Sequence, residues 1–227
     1  MKLRWYGQSA FLLTGAEHRV FIDPFDIPGD SPMAGRWPFP PIERVEADLL
    51  LVTHDHMDHN GVEAIGGNPA VLDKPGTHES PVGEVVGIAS EHDSVAGTQR
   101  GPNTIFRFAL DGMSVAHLGD FGQPALRPEQ RDALGDVDVL ILPIGAGPTI
   151  AVDDAVALVR EIQPMLVVAM HYRTPGGLDF LDLPDAFLDA MGAQVEQLET
   201  SETDVEPLFG SREEPVVALL AAPARDA

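Results

Sequence analysis

"LLLVTHDHMDHNG", residues 49–61, decides how the rest of the chain is read. Three of the eight histidines in 227 residues, His54, His56 and His59, fall within six positions, interleaved with Asp55 and Asp58. They follow the unbroken apolar run 49–52, the pattern of a strand covered on both faces. Polar groups at the end of a buried strand cost about 1–3 kcal/mol each if left unpaired, so a crowd of them needs partners. His54 and His56 are two apart, so extended backbone points both imidazoles the same way. Asp58 and His59 come after the chain turns and can address a second position nearby. Imidazole nitrogen with carboxylate oxygen is the ligand set of zinc, and also of manganese or iron.

Four ligands from six residues cannot enclose two ions, so further ligands must come from elsewhere. In open α/β sheets they converge from the ends of other core strands. Three residues meet that condition: Asp120 ends "SVAHLGD", His171 ends "LVVAMH", and His92 follows "VVGIAS". Each stands where an apolar run stops at a polar group. His117, within its strand, reads instead as a core histidine that orients a ligand, and Asp23, closing "VFID", as a group that orients a ligand histidine.

The surrounding pattern gives the fold class. "SAFLLTG" and "HRVFIDP" read as two strands joined by a tight turn at residues 15–17. "EVVGIAS", "NTIFRFAL", "MSVAHLGD", "VDVLILPIG" and "PMLVVAMHY" read as further strands. Between the later ones lie three helical segments. "RPEQRDALG" and "PDAFLDAMG" start on proline and stop on glycine, and "TIAVDDAVALVREIQP" places Val152, Val156 and Val159 on one stripe. Strands alternating with helices imply an α/β architecture. The Pro- and Gly-rich stretch 24–43 reads as a long loop, of the kind that is often functional. "FLLTGAEHRVFIDP" and "FRFALDGMSVAHLGD" share one plan of strand, glycine turn and strand ending in aspartate. That echo divides a single domain, 1–227, into similar halves of about 1–111 and 112–227. The tail from Ser201 shows no clear period before "PVVALLAAP", and its last residues are expected to fray.

Composition narrows the function. The net charge is −22, and lysine occurs only at Lys2 and Lys74. Such a surface repels polyanions and disfavours nucleic acid as a partner, while a small anionic substrate could still be held by a few arginines at one site. A solvated acidic surface that aids solubility accounts for the rest. There is no cysteine, which excludes disulfides, thiolate ligands and thiol nucleophiles. "MKLRWYGQSAFLLTG" lacks the apolar core and cleavage site of a signal peptide, and no apolar run approaches a membrane span. The expected setting is cytoplasmic, with a small-molecule substrate, no nucleic acid, no membrane, and self-association left open.

With these residues in place, the chain resembles the metallo-β-lactamase superfamily of metallo-hydrolases. "THDHMDH" matches its H-x-H-x-D-H signature, and "SEHD", "HLGD" and "AMHY" follow in the family's order. The resemblance implies a four-layer αββα sandwich of two similar halves. It also implies two divalent metal ions, zinc foremost, with manganese or iron as alternatives. His54, His56 and His92 would hold one; Asp58, His59 and His171 the other; Asp120 would bridge them together with a hydroxide. Asp58 would in addition carry the catalytic proton. "RGPNTIFRF", "LGDFGQ", "VDVLILPIGAGPTI" and "MHYRTP" look most like the branch related to L-ascorbate-6-phosphate lactonase. The expected function is therefore a dinuclear hydrolase that uses a metal-bound hydroxide on a small lactone, ester or phosphoester. The alternatives are a phosphodiesterase or ribonuclease of the same fold, and a metal-binding protein without turnover. Arg100, Asn103, Tyr172 and Arg173 flank the ligands or a loop near them and are the expected substrate contacts.

Overall fold

The structure, a computed structural model, describes residues 1–223; the tail residues 224–227, where fraying is expected, lie outside it. The chain begins with β1 (Lys2–Gly7), β2 (Ala10–Thr14), β3 (Arg19–Ile22), β4 (Val45–Glu46), β5 (Leu49–Leu51), β6 (Ile65–Gly66) and β7 (Ala70–Leu72). It continues through β8 (Gly76–Ser80), β9 (Gly83–Glu91), β10 (Pro102–Leu110), β11 (Met113–His117), α1 (Pro128–Leu134), β12 (Val139–Pro143), α2 (Val152–Ile162) and β13 (Leu166–Met170). It closes with α3 (Asp185–Met191), β14 (Gln194–Gln197), β15 (Glu202–Asp204) and β16 (Val216–Leu219).

Two sheets face each other across one apolar core. The first has strand order β15-β1-β2-β3-β5-β7, the second β14-β16-β13-β12-β11-β10-β9-β8. Along β1 the burial alternates: Leu3 and Trp5 are buried, while Lys2 and Arg4 are exposed. The inward rings meet the other sheet directly, Phe11 lying edge-on to His117 with centroids 6.0 Å apart. Strands β5, β12 and β13 are buried at every residue, which is why they read as unbroken apolar runs. Fully burying each leucine of β5 contributes roughly 2 kcal/mol.

The helices also follow their sequence signals. Helix α2 buries Ala155, Val156, Leu158, Val159 and Ile162 on one side. Gly135, at φ 60, ends α1 with its amide bonded to the Arg131 carbonyl. Among the described residues no helix is long and apolar enough to cross a membrane.

Three features go beyond the sequence reading. Among the described residues, all three α-helices belong to the second half of the chain. The middle of the first sheet's outward face, Leu12, Phe21 and Leu50 in register, is nevertheless buried, while Arg4 and Val71 on the flanking strands are exposed. Pro40 and Pro41 of the long loop after β3, with Val45 of β4, supply cover there and line a cavity with Leu12, Thr14 and Arg4. The chain also crosses between sheets at residues 73–75, between β7 and β8. The hairpins β8–β9 and β9–β10 bind those strands to β11 and so to the second sheet. Finally, the tail, which shows no period in sequence, adds β14 to the second sheet and β15 to β1 of the first. These short polar edge strands carry no apolar alternation to read.

Candidate metal centre

The buried strand β5 delivers the histidine turn. Beyond Leu51 the chain turns tightly, with the amides of His59 and Asn60 both bonded to the His56 carbonyl. This brings His54, His56, Asp58 and His59 round one corner. The other ligand-type residues arrive on three loops of the second sheet. His92 follows β9, Asp120 lies beyond β11, and His171 leaves β13 at φ 51. His54, His59, His92, Asp120 and His171 are all buried, whereas His56 and Asp58 keep some exposure.

Three sets of potential ligand atoms each lie within 4.8 Å of one another: His54–His56–His92, His54–His59–Asp120 and Asp58–His59–His171. Asp120 stands between the outer two. Its Oδ2 is 3.1 Å from Nε2 of His92, 3.1 Å from Nε2 of His171, and 3.3 Å from Nε2 of His59. On the other flank, His54 Nε2 and His56 Nδ1 approach to 3.0 Å. Within this cluster the buried His59 Nε2 has no hydrogen-bond partner. Buried polar atoms without partners are rare, and a ring nitrogen facing a carboxylate and further imidazoles is a place where a divalent cation could replace a proton. The donor set, imidazole and carboxylate without thiolate, suits zinc, manganese or iron.

The electrostatics favour that charge. Burial, followed by the neighbouring imidazoles, pushes His54 strongly down from the usual histidine range, and His56 moves down for the same leading reason. Both rings are therefore neutral and free to donate lone pairs. His59 goes the other way: burial opposes its protonation, but Asp120, Asp58 and Asp23 outweigh burial and raise it well above the usual value. Asp120 stays ionised, held well below the usual carboxylate range by His171 and His59 against the cost of burial.

Around the ligands lies a ring of holders. Asp23 Oδ2 is 2.9 Å from His59 Nδ1 and accepts from Thr53 Oγ1 at 2.7 Å, while its Oδ1 accepts the Thr53 amide. Thr53 Oγ1 is 3.0 Å from His54 Nδ1. His117 is no ligand: its Nδ1 accepts the Gly119 amide, so the proton sits on Nε2, 3.0 Å from the Ser9 carbonyl. Ser9 Oγ donates to Asp120, and the Gln8 side chain donates to Asp58.

The expected substrate contacts divide. Asn103 is spent inside the protein: its Nδ2 donates to Ser90 and to the Leu118 carbonyl, and its Oδ1 accepts the Asp120 amide. It positions Asp120 instead of reaching substrate. Tyr172 stacks on Trp5 and donates its hydroxyl to the Leu220 carbonyl; an apolar ring beside a buried indole packs better than it would in water. Arg100 does present an exposed guanidinium on the loop after His92, and Arg173 is half-buried after His171. The Gly145 amide is bonded to the His171 carbonyl, so it is not offered to a substrate. A Cβ on Gly145 would stand 2.2 Å from that oxygen, which explains a glycine at this contact.

Sequence reasoning missed Gln8, Ser9, Thr53 and Asp93. Asp93 accepts the amides of Val95, Gly97, Gln99 and Arg100 and so closes the loop beyond His92. Partial burial opposes its charge, yet those four donors hold its carboxyl down to about 2. The signal for Gln8 and Ser9 was present: a polar pair after Gly7 interrupts apolar sequence where a hairpin enters the core, and such a pair must be bonded to something.

Residues 2–171 match a family model described as beta-lactamase superfamily domain. A UPF0173 metal-dependent hydrolase of Thermococcus kodakarensis is 33% identical over 209 residues, 77% of this chain and 85% of that one. Another, from Thermus thermophilus, is 31% identical over 199 residues, covering 77% and 84%. Among solved structures, a Thermotoga maritima protein assigned to the Zn-dependent hydrolases of the metallo-beta-lactamase superfamily superposes with a TM-score of 0.74. It is 27% identical, with 96% of this chain and 97% of that one covered.

Proposed function

The chain belongs to the beta-lactamase superfamily and, within it, to the UPF0173 metal-dependent hydrolases, and on that premise we propose that it hydrolyses a small lactone, ester or phosphoester at a two-metal site. The observation that carries the two-metal reading is the position of Asp120 Oδ2, within 3.3 Å of imidazoles from both outer ligand sets. His54, His56 and His92 would hold one ion, Asp58, His59 and His171 the other. Bound there, divalent ions lower the pKa of a coordinated water and polarise a carbonyl or phosphoryl oxygen.

The protein's own groups do the rest. Asp58 keeps solvent access, its side chain 21% exposed, and is placed to take the proton of the attacking water and pass it to the leaving group. Arg100 offers a charge to an anionic substrate. The loops beside the ligands also carry exposed Met57, Val95 and Phe180. Ser31 donates to Met57 Sδ, and Arg36 pairs with Asp179, so the long loop after β3 touches the loops that carry Met57 and Phe180. The net charge of −22 supports a small substrate over RNA, and the resemblance to the ascorbate-6-phosphate lactonase branch puts lactones first.

A panel of lactones, simple esters, phosphomonoesters, phosphodiesters and β-lactams, run with zinc or manganese and with His56→Ala alongside, tests the reading. Turnover of a small lactone, ester or phosphomonoester that disappears in His56→Ala is expected. Turnover that survives in the variant, or confined to phosphodiesters, would overturn it. Metal binding without turnover of any class would leave a metal-binding protein.

A further inference from the structure

Asp58 is loosely anchored for a candidate ligand. Among the described residues its carboxylate meets the Gln8 amide, Nε2 to Oδ2 at 3.3 Å, and His59 Nε2 at 3.7 Å. By contrast His54, His59 and Asp120 are held from behind by Thr53, Asp23 and Ser9. Gln8 therefore restrains Asp58 where nothing else does.

The same residue also holds the opposite wall. Its carbonyl accepts the His171 amide at 3.2 Å and the Trp5 indole N–H at 3.0 Å. Gln8 is 2% exposed and sits at φ 50, and its partner His171 sits at φ 51. Left-handed conformations are costly for residues other than glycine and persist where the surroundings over-determine them. Two such residues bonded to each other join the end of β1 to the end of β13. One side chain and one carbonyl thus fix two members of the set Asp58–His59–His171, one from each side of the cleft.

We propose that Gln8 is a positioning residue that sets the metal affinity of the Asp58–His59–His171 position separately from that of His54–His56–His92. The proposal rests on the two-metal reading above. Without the Gln8 donor, Asp58 swings freely and that position must order a carboxylate each time it binds.

Two variants test this. Gln8→Gly keeps the carbonyl that holds His171 and relieves the left-handed backbone; Gln8→Met keeps the side-chain length and removes the donor. Metal-free wild type and both variants are titrated with zinc against a chromophoric chelator, with bound zinc counted by elemental analysis and the melting temperature of the metal-free proteins recorded. The wild type should take up two ions. Both variants should keep one at wild-type affinity and bind the other about 10–100-fold more weakly, the usual effect of losing a ligand's hydrogen-bond partner, with Gln8→Gly melting no lower than wild type. Two ions at wild-type affinity in both variants, or equal weakening of both positions, would overturn the assignment. A wild type that binds one ion would instead overturn the two-metal reading, and the separate second position with it.

Discussion

Asp23 and Asp120 grip the His59 imidazole from opposite edges, Asp23 Oδ2 2.9 Å from Nδ1 and Asp120 Oδ2 3.3 Å from Nε2. The first contact holds a ring proton on Nδ1 and turns Nε2 toward the cleft, where a cation would take the place of its proton. Replacing Asp23 by asparagine keeps shape and tolerates its left-handed backbone, φ 49. Unless the amide flips, its NH2 group faces Nδ1, and the proton moves to Nε2. Asp23→Asn should weaken metal binding about 10–100-fold while the metal-free protein still folds, as read by chelator competition beside circular dichroism. Unchanged affinity would remove Asp23 from this role.

The charge pair sets a pH window for the metal-free protein. Asp120 is depressed and His59 raised. Their stabilisation is therefore full between the unfolded-state values of about 3.9 for aspartate and 6.5 for histidine. It is lost as pH falls through the depressed carboxylate value, or rises through the elevated histidine one. At neutral pH an incoming metal must displace the His59 proton. Calorimetric titration in buffers of different ionisation enthalpy should show about one more proton released by wild type than by His59→Gln. Equal release in the two proteins would contradict the raised His59.

Asp58 separates binding from chemistry. At saturating metal, Asp58→Asn should retain the ions, counted by elemental analysis, yet turn over about 10²–10⁴-fold more slowly, the usual range for a lost proton carrier. Near-normal turnover with both ions present would assign the proton to another group.

The loop beyond His92 depends on a single carboxylate. Asp93→Ala leaves the amides of Val95, Gly97, Gln99 and Arg100 without their acceptor. Hydrogen exchange at those four amides should accelerate, and metal held by His92 should bind more weakly. Because the Asp93 carboxyl is held down to about 2, its contribution is complete above the ordinary carboxylate range and fades only as pH falls through about 2. Exchange rates that match wild type would show that the loop closes without it.

Much of this cluster could be read in one dimension because its candidate ligands obey a rule that leaves a local trace. His54, His56, Asp120 and His171 sit where buried runs end, and a polar residue there is visible in the sequence. The structure brings them together with His59, His92 and Asp58. Of their holders, Asp23 is legible the same way at the end of "VFID", whereas the polar pair Gln8–Ser9 shows only that it must be bonded, not to what. Gln8 and Ser9 act through a turn whose left-handed geometry, not its composition, aims one at Asp58 and the other at Asp120. Asn103 and Tyr172 lie near the ligands in sequence, yet their side chains point into hydrogen bonds with Ser90, Leu118 and Leu220. Neighbourhood along the chain says nothing about side-chain direction at a strand end. The strands β14 and β15 are short, polar and at or near sheet edges, where burial imposes no alternation.

The spread of the ligands over the chain has a consequence for how the protein is made. During synthesis the turn at His54–His59 emerges long before His171 exists, and Asp120 meets imidazoles from both sheets. Neither outer set closes until the sheets have docked, so a nascent chain offers scattered donors of low affinity and the finished one a cage. Ion uptake then works as a latch on completed assembly. By mass action an ion present at 100 times its dissociation constant adds about 2.7 kcal/mol to the folded state. A cell starved of that ion would hold the same polypeptide in a more easily opened, more rapidly degraded form.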